Sequence, residues 1–259
     1  MVDPLPEIGA RTIAAFLLVL ARVGPLFLFA PAISSQALPP RAKGVAAVAL
    51  AIGLTPFALH GQHLPLDAVS LGVLMAKELL VGLAFAYAVG AVVAAASVAG
   101  TVLDSVVGYA FASLVDPVHG TSGGPLGQLY GLVTAVVFLA VDGDHWLIQG
   151  LARTYELVPL HELPSFVALA GGVEQAFAGI FPAALEVAAP VLLAVTVTDI
   201  GFGMLSRVVP QMNIFSVGFP AKILIALAVL IVSLPFAAGW FIDASREAAG
   251  AAANQIGSP

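Results

Sequence analysis

The chain has 259 residues, of which 60% are hydrophobic and 9% charged, and its 9 Lys and Arg against 15 Asp and Glu give a formal net charge of −6. With a mean hydropathy of +1.05, this composition excludes a water-soluble globule, because the chain has too little charge to coat one. No basic run of the kind nucleic acid needs is present, and the absence of cysteine excludes disulfides, iron–sulfur clusters and thiolate zinc sites.

Asp3 and Glu7 precede Arg11 where a cleavable signal would be basic, so the first apolar segment is expected to be retained. About six apolar segments follow, measured against the roughly 20 residues a helix needs to cross a hydrocarbon core. The first covers Thr12 to Ala30, interrupted by Arg22, Gly24 and Pro25, and the second runs from Gly44 to Leu59. The third, Ser70 to Leu114, is about twice the length of one crossing and predicts a bent helix or a hairpin. The others span Leu126 to Val141, Ala176 to Val197 and Gly218 to Ile242. Between the fourth and fifth, the mixed stretch from Asp142 to Glu174 suits an interfacial segment carrying a short helix. The expected fold class is therefore an all-α membrane protein, with residues 1–242 as one membrane domain and 243–259 as a short polar tail. Loop Lys and Arg residues do not set an orientation, since Arg41, Lys43 and Arg207 are balanced by Arg11, Arg153 and Arg246.

Five ionisable residues inside apolar segments are candidate intramembrane polar contacts: Lys77, Glu78, Asp104, Glu186 and Asp199. A charge at membrane depth costs at least about 2.5 kcal/mol unless it is paired, hydrated or near the interface. Adjacent helical positions diverge by about 100°, so Lys77 and Glu78 are expected not to pair with each other and to need separate partners or a water-lined path. Each carboxylate either stays protonated and hydrogen-bonded or serves a proton relay. Gly82, Ala86, Gly90 and Ala94 recur every four residues and predict a close helix–helix approach. His60, His63 and Asp67 read as a solvated loop rather than a metal site, and Asp142, Asp144 and His145 lack a third ligand or nucleophile at a recognisable spacing. No Gly-rich phosphate loop, HExxH pair or GxSxG elbow occurs. The expectation is a protein with no catalytic residues, no cofactor and no metal.

The most ordered polar pattern is Thr198 to Lys222, TDIGFGMLSRVVPQMNIFSVGFPAK. Pro210 and Pro220 are expected to interrupt the helical ladder and Gly218 to allow a sharp turn, while Arg207, Gln211, Asn213 and Lys222 supply donors for freed carbonyls or a second subunit. This stretch resembles the FliR family of flagellar export proteins, with the form LSRxxPQMNxFxxGFPxK carried by Leu205, Ser206, Arg207, Pro210, Gln211, Met212, Asn213, Phe215, Gly218, Phe219, Pro220 and Lys222. Weaker similarity covers Arg22 to Pro25 with Pro31, Gly108 to Pro117, and Gly143 to Trp146, where relatives often have a His pair and this chain has Asp144 before His145.

The resemblance implies a channel-forming subunit of the type III export gate in the bacterial inner membrane, within the flagellar basal body. It implies helical hairpins stacked with homologous subunits, FliP, FliQ, FlhB and FlhA as partners, unfolded flagellar subunits as transient substrates, and contact with membrane lipid. On that reading, Arg207, Pro210, Gln211, Asn213, Phe215, Gly218, Phe219, Pro220 and Lys222 pack against neighbouring subunits. The loop from Tyr109 to Gly124 becomes a candidate pore plug, with Phe111, Leu114, Asp116, Pro117 and Gly120 as its named residues. The homologous injectisome protein is the close alternative. A secondary transporter is a more distant one, since no internal repeat is visible.

Overall fold

A computed structural model describes residues 9–29, 39–60, 64–109, 124–211 and 214–256, and among these the only regular structure is helical. Eight helices follow in chain order: α1 (Ala10–Val23), α2 (Leu26–Phe29), α3 (Pro40–Leu59), α4 (Ala68–Val107), α5 (Pro125–Ala140), α6 (Gly143–Leu157), α7 (Phe166–Val208) and α8 (Ile214–Ile256). By length and composition, five helical spans are apolar enough to cross a membrane, or six if α5 and α6 are counted together.

Local chemistry sets several of the boundaries. Gly24 and Pro25 separate α1 from α2, and Pro40 opens α3 at a position where its missing N–H costs nothing. The Asp67 carboxylate accepts the Ser70 backbone N–H at 2.9 Å ahead of α4, and this bond, with one from the Ser70 hydroxyl, holds the Asp67 carboxyl below the ordinary carboxylate range. Asp142 begins α6 in the left-handed region at φ 54°, which Asp tolerates better than most side chains.

The third apolar segment is not a hairpin among the described residues: α4 is one helix of 40 residues, about 60 Å at 1.5 Å per residue. α7 and α8 are each 43 residues long, well beyond the apolar stretches that announced them. Hydropathy marks only the apolar part, whereas the hydrogen-bond ladder continues through polar turns. Pro182, Pro190, Pro220 and Pro235 all lie inside these helices. Pro220 therefore does not end a helix, and Gly218 is buried within α8 rather than forming a sharp turn. The turn falls at Pro210 and Gln211, while Met212 and Asn213 lie outside the described residues. α8 also continues through the stretch that begins at Asp243.

The helices gather into two compact units. The first comprises residues 1–91, 138–177 and 244–259. Its core joins Leu18, Val19 and Val23 of α1, Ala51 and Leu54 of α3, Val81, Phe85 and Val89 of α4, and Leu147 and Leu151 of α6. α1 and α2 approach α4 at small residues. A Cβ on Gly82 would overlap the Arg22 carbonyl, one on Gly90 would meet Phe29 at 3.1 Å, and Ala86 between them is fully buried. The second unit comprises residues 92–137 and 178–243. Here α4 and α5 meet at Gly100 and Gly127, where an added Cβ on Gly100 would stand 2.5 Å from the Gly127 Cα.

Gly82→Ala therefore forces α1 away from α4 and is expected to lower stability by about 1–3 kcal/mol. Gly72→Ala, on the same helix with no atom within 4 Å of its added Cβ, should be neutral or slightly stabilising. Thermal unfolding of the two purified variants in detergent compares them directly.

Candidate functional site

Among the described residues, the first unit holds three charged side chains in its interior. Arg22 on α1 and Glu78 on α4 are fully buried, and Lys77 is 2% exposed. The Arg22 guanidinium grips Glu78 with two N–H groups, one from Nε to Oε2 and one from Nη2 to Oε1 at 2.9 Å. Arg22 Nη1 donates to the Thr154 hydroxyl at 3.1 Å, Nη2 also donates to the Val158 carbonyl at 2.9 Å, and the guanidinium lies 4.1 Å from the centre of the Tyr155 ring. Lys77 Nζ lies 2.6 Å from Glu78 Oε1 and donates to the carbonyls of Pro159 at 2.9 Å and Leu160 at 3.2 Å.

This arrangement corrects one expectation. Lys77 and Glu78 do pair, because the flexible lysine stem carries its ammonium across the divergence of adjacent positions to the carboxylate that Arg22 already holds. Two cations share one carboxylate, and backbone supplies the remaining negative potential. Carbonyls 158–160 lie just past the end of α6, where the last helical carbonyls lack partners and the helix dipole is negative. The network thus ties α1, α4, α6 and the segment after α6 together by bonds with direction, which apolar contacts in the same place would lack. Sequence reading took Arg22 for an interruption. Its signal was a guanidinium amid apolar residues, while Thr154, Tyr155 and the three carbonyls carried none.

The second unit uses a carboxylate differently. Asp104, 2% exposed on α4, accepts the backbone N–H groups of Leu126 at 3.0 Å and Gly127 at 2.9 Å. It thereby caps the N-terminus of α5, whose free N–H groups and positive dipole end favour an anion. Gly124 is required here, since a Cβ would strike the carboxylate. Near the end of α4, Gly108 has φ +107° and faces the Phe219 ring, which an added Cβ would approach to 2.5 Å.

The remaining expected contacts are not interior. Glu186 is exposed, and Asp199 is exposed while accepting a 2.8 Å hydrogen bond from Lys222. Arg207, Pro210, Gln211, Phe219 and Pro220 are also exposed, and nothing is described of the Phe215 side chain. The candidate plug residues Phe111, Leu114, Asp116, Pro117 and Gly120, together with Asn213 and His63, lie outside the described residues. His145 is held to Gln149 through its Nε2 at 2.8 Å. Large apolar side chains are open along α7 and α8, including Leu193, Val197, Ile200, Met204, Leu224, Ile231 and Val232. Only 22% of the most apolar stretch of α8 is buried.

These features define a helical integral membrane protein whose interior charges are satisfied and whose apolar faces are left for lipid or protein. The chain belongs to the bacterial export proteins, family 1, which match residues 13–248. It is similar to the flagellar biosynthetic protein FliR of Bacillus subtilis strain 168, at 28% identity over 224 residues covering 85% of this chain and 86% of that protein. Its similarity to the FliR of Escherichia coli K12 is 27% over 223 residues, covering 85% of this chain and 84% of that protein. The surface presentation of antigens protein SpaR of Salmonella typhimurium LT2 is 29% identical over 226 residues, covering 86% of this chain and 83% of that protein.

Glu78→Gln leaves Arg22 and Lys77 without a carboxylate, and removing one partner of a buried pair costs about 3–5 kcal/mol. The variant should accumulate poorly in membranes or unfold at a clearly lower temperature. Glu186→Gln, at an exposed position, should match the unaltered protein in both measurements.

Proposed function

We propose that this chain is a structural, channel-building subunit of the type III export gate in the bacterial inner membrane, in its flagellar branch. The observation that carries the reading is the family match over residues 13–248 together with relatives named FliR. The exposed apolar faces of α7 and α8 favour a subunit surrounded by others, because a chain that works alone in lipid has less need of the ordered polar motif from Arg207 to Lys222. FliP-like and FliQ-like proteins are the partners in the gate, with FlhB and FlhA beside it, and unfolded flagellar subunits pass through. No residue is given a catalytic role.

In this reading, the loop from Tyr109 to Gly124 closes the pore at rest, with Phe111 and Leu114 as the apolar constriction. Anchors on both flanks support the assignment: Asp104 holds the start of α5, and Phe219 of the motif packs on Gly108. The motif residues Arg207, Pro210, Gln211, Asn213, Phe215, Gly218, Phe219, Pro220 and Lys222 are assigned to subunit packing. The injectisome branch is the second reading, favoured by the 29% identity to SpaR.

Deleting the gene should remove hook and filament proteins from the culture medium, and a plasmid copy should restore them; normal flagellar secretion without the gene would move the assignment to the injectisome branch. Deleting residues 114–120 should raise ion conductance through the assembled gate in planar bilayers, and unchanged conductance would reject the plug.

A further inference from the structure

One cavity outside the charge network has a lining in which polar and apolar groups are mixed, unlike the largely apolar grooves elsewhere on the chain. It has a volume of about 310 Å³ and lies in the first unit between α6 and the end of α8, lined by Trp146, Gln149, Gly150, Arg153, Arg246 and Gly250 with Ala249. Its two charged side chains are both arginines. The acidic residues of the same two helices, Asp144 and Glu156 on α6 and Asp243 and Glu247 on α8, do not line it. Arg246 is stacked over the Trp146 ring, with the guanidinium carbon 4.7 Å from the ring centre, so the pair forms one wall. Gly150 brings the helices close, since an added Cβ there would stand 3.0 Å from the Ala249 carbonyl oxygen. Gln149 adds an amide that already engages His145.

We propose that this cavity binds the phosphate of an anionic phospholipid headgroup. Guanidinium forks match phosphate oxygens in geometry and charge, and two of them at one cavity leave a positive site with no carboxylate in its lining. Position decides the source of the phosphate. Arg246 lies near the end of the apolar span Ser216–Ala252. α6 buries Leu147, Leu151 and Tyr155 on one side while exposing Asp144, His145, Arg153 and Glu156 on the other, the pattern of a helix lying at an interface. A tryptophan with an apolar body and a polar N–H belongs at the headgroup level. The inference rests on the membrane assignment and is independent of the export function.

The chain carries two tryptophans, so Trp240→Phe leaves Trp146 as a fluorophore within the cavity wall. The full-length variant is reconstituted in phosphatidylcholine vesicles containing a minor fraction of either brominated phosphatidylglycerol or brominated phosphatidylcholine. Each arginine near an anionic headgroup contributes about a fivefold preference, so with two arginines phosphatidylglycerol should quench Trp146 at roughly a 25-fold lower mole fraction than phosphatidylcholine. Arg153→Gln with Arg246→Gln in the same background should bring the two quenching curves together, while Arg153→Lys with Arg246→Lys should keep most of the difference. Equal quenching by the two lipids before any arginine is changed overturns the proposal, whether or not the glutamine variant folds. A preference abolished by millimolar inorganic phosphate also overturns it, in favour of a site for small free anions. Equal quenching before any arginine is changed, together with lost secretion in the glutamine variant, overturns it in favour of an acidic protein partner.

Discussion

A charge removed from water must find its partners nearby, and in the first unit that requirement fixes several elements at once. Arg22, Lys77 and Glu78 have almost no exposed surface, yet together they make hydrogen bonds to Thr154 and to three successive carbonyls after α6. Apolar packing alone would let α1 slide or rotate against α4 at little cost, because one aliphatic contact resembles another. A bidentate guanidinium–carboxylate bond allows far less freedom. Gly82 contributes by omission, since it lets the α1 backbone come close enough for Arg22 to reach Glu78. The second unit contains a smaller version of the same solution, with Asp104 satisfied by the N-terminus of α5 rather than by a cation.

Outside these centres, the balance is reversed. The long helices α7 and α8 expose leucine, isoleucine, valine and methionine over many turns, and their polar motif residues are largely open as well. Lipid tails can cover the first kind of surface at no cost, but their hydrocarbon does not satisfy Arg207 or Gln211. A surface that mixes apolar ridges with donors suits contact with other protein chains, which is the arrangement proposed for an export gate. In the proposed reading, the internal charges and the external motif do different work: one fixes the subunit, and the other packs against neighbours.

Much of this organisation was legible in the sequence. Hydropathy located the apolar segments, and the ordered motif beginning at Leu205 carried the family resemblance. The helix ends were not legible, because polar residues such as Arg207 and Asp243 continue a hydrogen-bond ladder as readily as apolar ones, and prolines 182, 190, 220 and 235 are absorbed within helices. For the third segment a bent helix or a hairpin was expected, and the hairpin alternative fails within the described residues because length alone does not show where a helix is broken. The charge network was only half visible. Lys77 and Glu78 announced themselves as charges in an apolar run, but the acceptors of Lys77 include backbone carbonyls some 80 residues away, and backbone atoms leave no mark in a sequence. Glu186 gave the same signal as Glu78 and lies on an exposed face, so polarity in an apolar segment identifies a constraint without telling which side of the helix bears it.

The central claim is that the chain functions as one subunit of a larger export assembly in the membrane. Gentle extraction of the tagged protein from its native membranes, followed by native mass spectrometry, tests it most directly. The account predicts a defined complex in which this chain accompanies FliP-like and FliQ-like subunits in fixed ratio. Recovery of the intact protein as a lone monomer bound only to lipid, under conditions that preserve other membrane complexes of the same cells, would contradict it.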